Sequence, residues 1–175
     1  MPRWMPCDRK RSGTRTLPVR YDTPGTGMFA PEVLEPAVER LAELAGQGRA
    51  LEFAIGTGRV AIPLSERGVP VTGVELSIPM IDELRTKIDE DTIPVVVGDM
   101  ATARAPGEFT LVYLVFNTIS NLLTQSEQVA CFRNAARHLT PGGRFGLAPV
   151  SWTRVMRLFE SPRSGVSIAV QRPRG

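Results

Sequence analysis

The chain has one histidine, His138, and two cysteines, Cys7 and Cys131, in 175 residues. His138 is expected on the surface at a helix end, so a mechanism built on a histidine triad or a metal cluster must do without or import ligands from elsewhere, and no metal site is expected. Two cysteines are too few for a disulfide framework, which points to a reducing, cytoplasmic setting. No apolar run reaches membrane-spanning length. The basic N-terminus lacks the apolar segment of a signal peptide, so neither a membrane nor export is expected. Internal repeats are absent as well.

Charge is scarce in one place and crowded in two. Residues 1–20 hold six Lys/Arg and one Asp, and residues 151–175 hold five Arg and one Glu. Between them, residues 21–150 hold ten basic and sixteen acidic side chains, a net of −6 inside a chain of net +3. The basic character belongs to the ends, and an acidic middle argues against a nucleic-acid face. The expected organisation is a disordered basic tail over 1–20, a folded domain over 21–150, and a short divergent segment over 151–175. This is long enough for one domain with a real core.

Everything in the folded part is arranged around residues 50–61, ALEFAIGTGRVA. The first half reads as a buried parallel strand carrying one carboxylate, Glu52. The second half is a glycine turn running into a helix. Gly56 and Gly58 permit backbone angles that a side chain forbids, and they let a ligand lie against the main chain.

Before this stretch, Leu34, Val38, Leu41 and Ala45 recur at helical spacing from Pro31, with Gly46 as the stop and Glu35, Glu39 and Glu43 opposite. After it, Pro63 delays or kinks a first crossover helix over 59–67. A second strand over 70–75 ends in Glu75. Ser77 is the expected N-cap of a helix whose apolar stripe is Met80, Ile81, Leu84 and Ile88. A third strand over 93–97 runs into Gly98-Asp99-Met100, and the almost wholly apolar run 109–116 reads as a central strand buried on both faces. Thr124 and Glu127 form a capping box. The helix they open is expected to turn Val129, Phe132, Ala136 and Leu139 inward, with Cys131 in its packing, and Leu139–Gly143 turns into a fifth strand over 144–150. Strand–helix alternation predicts an α/β fold: a doubly wound, mostly parallel, Rossmann-like sheet with helices on both faces.

In such a sheet the ligand lies beyond the carboxyl ends of the strands. Glu52 and the glycine turn, Glu75, Asp99, and Phe116-Asn117 all fall there. Glu75 follows Gly56 by 19 residues, the spacing at which a carboxylate accepts both hydroxyls of a ribose. A dinucleotide-binding dehydrogenase shares this glycine-plus-acid fingerprint. Its pyrophosphate, however, would lie against a row of carboxylates, and no hydride-relay set is recognisable.

The ordered stretches LEFAIGTGR, VTGVELSIPMI, VVVGDM, LVYLVFNTISNL and HLTPGGRF resemble the class I S-adenosylmethionine-dependent methyltransferases, above all small bacterial members of the methyltransferase-domain type. The resemblance implies S-adenosyl-L-methionine as cofactor and a small-molecule methyl acceptor. It implies that Glu52 holds the methionine amino group and that Gly56 and Gly58 let the cofactor cross the chain. Glu75 would bind the ribose, with Leu76 and Met80 flanking the adenine. Asp99 would accept from the adenine amino group beside Met100, and Phe116 and Asn117 would line the methyl end. No general base is identifiable, although Tyr21 and Asp22 fall where an N-terminal lid would lie.

Two features depart from the family. It usually has glycine where this chain has Ala54, whose methyl would narrow the cofactor's approach along a strand. After Val150 only 25 residues remain, too few for the family's closing helix and strand hairpin. From this follow two further expectations: a sheet edge left open to self-association, and a second functional reading as a non-catalytic remnant.

Overall fold

The computed structural model describes residues 31–116 and 118–148. The expectations for the basic tail, for Tyr21, Asp22 and Asn117, and for the segment 151–175 lie outside the described residues.

Among the described residues five strands form one parallel sheet: β1 (Ala50–Phe53), β2 (Val71–Glu75), β3 (Val95–Val97), β4 (Phe109–Val115) and β5 (Leu139–Ala148), in the order β3-β2-β1-β4-β5. Among the described residues four helices connect or cover them: α1 (Pro31–Ala45), α2 (Ala61–Glu66), α3 (Ile78–Arg85) and α4 (Gln125–His138), with a 3-10 turn at Thr118–Asn121. The doubly wound α/β fold expected from the alternation is what the chain adopts. Pro63 sits within a crossover helix that starts late, at Ala61, as a proline in its first turn requires.

Alternation along the central strands divides the core in two. Leu111, Tyr113 and Val115 of β4 face Val38, Leu41, Leu64 and Leu84, the inward residues of α1, α2 and α3. Val112 and Leu114 pack on the other side with Leu51 and Phe53 of β1 and with Cys131 and Ala135 of α4. The strand order turns back between β1 and β4, and it is there, beyond Phe53 and Val115, that a crevice opens.

Four local expectations need correction. The buried face of α4 is Cys131, Asn134, Ala135 and His138, whereas Val129 is exposed. His138 is not a surface residue. It is fully buried, its Nε2 accepts the Ala105 amide at 3.0 Å, and its Nδ1 lies 2.8 Å from the Asn134 carbonyl. The tautomer that satisfies both carries its proton on Nδ1. Asn134 Nδ2 in turn donates to the carbonyls of Met100 and Ala103, so α4 is bonded through polar side chains to the loop after β3. The predicted capping box is present, with Glu127 N–H donating to Thr124 Oγ1 and Thr124 N–H to Glu127 Oε2. Ser77, by contrast, starts α3 without a side-chain cap hydrogen bond. Finally, β5 begins at Leu139 and takes up Leu139–Gly143 as an irregularity opposite Phe109–Leu111.

Among the described residues no helix is long and apolar enough to cross a membrane, and no three His, Cys, Asp or Glu side chains gather as a metal site.

Candidate functional site

The crevice beyond β1 and β4 contains a cavity of about 40 Å3 lined by Glu52, Ala54, Ile55, Gly56, Thr57, Arg59, Val60, Val115, Phe116 and Thr118. That is room for a few waters. Three of the expected site residues, Glu52, Gly56 and Phe116, meet here.

Glu52 occupies the third position of β1 and is 2% exposed. Burial raises its carboxyl to about 8, against the opposing pull of the Tyr113 hydroxyl, the Arg59 charge and the Ala61 amide; the nearby Glu75 carboxylate pushes it the same way as burial. Tyr113, its register partner on β4, donates to Glu52 Oε2 at 2.9 Å.

Ala54 and Phe116 both adopt positive φ, 54° and 58°. Ala54 therefore lies in a left-handed turn, where a glycine is conformationally preferred, and not in an extended strand. A glycine at this position would answer a backbone demand. Phe116 is bulky and costlier in that conformation, and such strain collects at binding sites. The Arg59 guanidinium stacks on the Phe116 ring with its carbon 3.6 Å from the centroid.

The two turn glycines divide their work. A carbon added at Gly56 would meet nothing nearer than the Ala54 carbonyl oxygen at 4.0 Å, so this face of the turn is open to a ligand. At Gly58 the added carbon would fall 2.3 Å from Leu84 Cδ1. The missing side chain of Gly58 thus makes room for α3, and Gly58 does not line the cavity.

Glu75 is 8% exposed, and its carboxylate is already engaged. Oε2 accepts the Gly56 amide at 2.8 Å, and Oε1 accepts the amides of Leu76 and Ser77 at 2.9 and 2.8 Å. A carboxylate offers about four acceptor positions, so this arrangement leaves capacity for one more donor, not for both ribose hydroxyls. Burial raises its pKa, and the three amides pull it back.

Leu76, Met80, Asp99 and Met100 do not line the cavity. Leu76 is 49% exposed, and Met80 is half-buried on α3. Asp99 turns Oδ1 back to accept the Ala101 amide at 2.8 Å. Met100 packs into the core beside Phe109 and Cys131. Sequence reasoning missed Arg59, Tyr113 and Thr118. Arg59 alone left a trace, as the cation directly after the glycine turn.

A family model described as a methyltransferase domain matches residues 50–143. The cypemycin N-terminal methyltransferase of a Streptomyces species is 34% identical over 93 residues, covering 53% of this chain and 38% of that protein. Among solved structures, the CcbJ methyltransferase from Streptomyces caelestis superposes with a TM-score of 0.68 at 36% identity, covering 79% of this chain and 57% of its own. The glycopeptide N-methyltransferase MtfA, solved in complex with S-adenosyl-L-methionine, gives a TM-score of 0.57 at 28% identity, with coverages of 63% and 52%. The chain thus spans less than two thirds of each of these relatives.

Proposed function

The chain belongs to the methyltransferase-domain family, and on that footing we propose that it binds S-adenosyl-L-methionine at the β1–β4 crevice and passes the methyl group to a small-molecule acceptor. The observation that carries this reading is the meeting of a carboxyl and a guanidinium in one cavity. Glu52 and Arg59 both line it, together with the open face of Gly56. An amino-acid moiety presents an ammonium and a carboxylate, which these two side chains complement; a pyrophosphate would meet Glu52 unfavourably.

In this reading Glu52 receives the ammonium and Arg59 the carboxylate. The Gly56 turn lets the cofactor pass over the main chain, and Glu75 accepts one ribose hydroxyl while fixing that turn. Leu76 and Met80 flank the adenine, Asp99 accepts from its amino group next to Met100, and Phe116 with Asn117 bounds the methyl end. When bound, the cofactor supplies a methyl group already activated on a sulfonium, so the protein's part is alignment and exclusion of water. The names of two relatives, an N-terminal methyltransferase and a glycopeptide N-methyltransferase, favour an amine as acceptor.

Calorimetric titration with S-adenosyl-L-methionine, S-adenosylhomocysteine and NAD tests the cofactor. Binding of the first two without NAD is expected, and tight NAD binding without a response to the sulfonium compound overturns the reading. Mass-spectrometric detection of a methylated product from a panel of small amines tests turnover. A folded protein that binds cofactor yet methylates none of a broad acceptor panel is instead the non-catalytic remnant.

A further inference from the structure

Resting on that cofactor reading, we propose that Tyr113 is a positioning residue, whose hydroxyl holds the Glu52 carboxylate in the orientation that receives the amino group of S-adenosyl-L-methionine. Tyr113 lies in the centre of β4 with no exposed surface, inside a run that the sequence presents as apolar filling. A phenol hydroxyl is costly at such a place unless it is bonded, and phenylalanine would fill the space without that cost. The hydroxyl is bonded to Glu52 Oε2 at 2.9 Å. The register of the two strands sets this contact, because Glu52 and Tyr113 are paired residues of β1 and β4. Glu52 is also a wall of the cavity, so the strand pair itself aims the carboxylate.

The groups that face Glu52 are few. Arg59 comes from the turn after β1, Glu75 from the end of β2, Tyr113 from β4, and the Ala61 amide from the start of α2. Burial and Glu75 favour the protonated acid, while Tyr113, Arg59 and Ala61 favour the carboxylate. An incoming ammonium needs the carboxylate, so binding near neutral pH expels the Glu52 proton to solvent. Removing the Tyr113 hydroxyl makes that proton harder to expel and leaves the carboxylate free to turn.

The test is calorimetric titration with S-adenosylhomocysteine, which keeps the amino group, over about pH 6 to 9. It compares the natural chain, Tyr113→Phe, Glu52→Gln and the double variant. Tyr113→Phe is expected to bind about tenfold more weakly at neutral pH, with the pH midpoint of binding raised by about one unit. In the Glu52→Gln background the same change should alter affinity by less than about twofold. An unmoved midpoint, or losses that simply add in the double variant, overturns the proposal. Should Tyr113→Phe fail to fold, biosynthetic fluorotyrosine replaces it, since the chain has only two tyrosines. A more acidic phenol donates more strongly, so the midpoint must fall; a midpoint that stays put overturns the proposal. If the natural chain does not bind S-adenosylhomocysteine at all, the cofactor reading fails and this inference with it, a result unlike either of the others.

Discussion

Glu75 Oε2 accepts the backbone N–H of Gly56 at 2.8 Å, joining the end of β2 to the turn that follows β1. With the amides of Leu76 and Ser77 on its other oxygen, this carboxylate shapes two turns before any ligand arrives.

Glu75→Ala is therefore expected to cost stability as well as affinity. Hydrogen bonds to charged groups contribute about 1.5–3 kcal/mol each, but burial has raised this carboxyl's pKa, so a loss of about 2–3 kcal/mol in all is expected. Glu75→Gln keeps part of the acceptor capacity and should lose less. Urea unfolding of the three proteins checks this. An Ala variant as stable as the natural chain would mean that the turns hold their shape unaided.

At Ala54, the φ of 54° reverses the usual cost of glycine. A left-handed conformation costs an L-residue about 1–2 kcal/mol, while glycine forfeits about 0.5–1 kcal/mol of chain entropy. Ala54→Gly should thus stabilise by up to about 1 kcal/mol and should not weaken cofactor binding. Ala54→Val, β-branched at the same φ, should destabilise clearly. Melting curves of both variants decide the matter, and a destabilised glycine variant would contradict the backbone geometry.

The stability profile with pH should have two limbs. Burial lowers the His138 pKa below 6.5, so the unfolded chain takes up the proton more readily and stability is lost as pH falls below 6.5. Glu52 has the opposite sign. Its pKa rises on folding from 4.5 to about 8, so its contribution is full below 4.5 and is lost as pH rises through about 8. Glu75 shifts in the same direction. Between pH 6.5 and about 8 melting temperature should fall with rising pH in the natural chain and fall less in Glu52→Gln, whereas below 6.5 the variant should lose stability more steeply, because Glu52 no longer opposes His138.

Asn134 tests the coupling between α4 and the loop that carries Asp99. Asn134→Ala removes donors to the Met100 and Ala103 carbonyls and leaves both acceptors short of a partner, at about 1–3 kcal/mol for a buried group. Stability should fall, and cofactor affinity should fall further than global unfolding accounts for, because the loop loses its brace. Equal affinity among the folded molecules would confine Asn134 to a structural role.

The order of elements was legible because burial on both faces leaves an unmistakable mark on a strand, as in the run from Phe109 to Val115, and because Thr124 and Glu127 satisfy helix-end amides by purely local chemistry. The inward face of α4 was not legible. Its pattern was read from apolar residues, yet Asn134 and His138 are inside, bonded to backbone groups some thirty residues away. The glycine turn and the Glu52 position were visible as local pattern. Tyr113 was not, because its contact exists only through strand register. Ala54 misled for a different reason: a residue next to a strand has no sequence signal for positive φ.

The burial of His138 gives the protein an internal gauge. As the chain's single imidazole, it lies against the Phe53 and Phe109 rings, with centroids 6.0 and 6.2 Å away. Ring currents from both will displace its proton resonances from their solvent positions, and no second histidine overlaps them. One signal in a one-dimensional spectrum therefore reports whether α4 is seated on the sheet. It does so in any variant that keeps this imidazole and with any ligand, at a pH where the ring is neutral, without an assignment of the remaining residues.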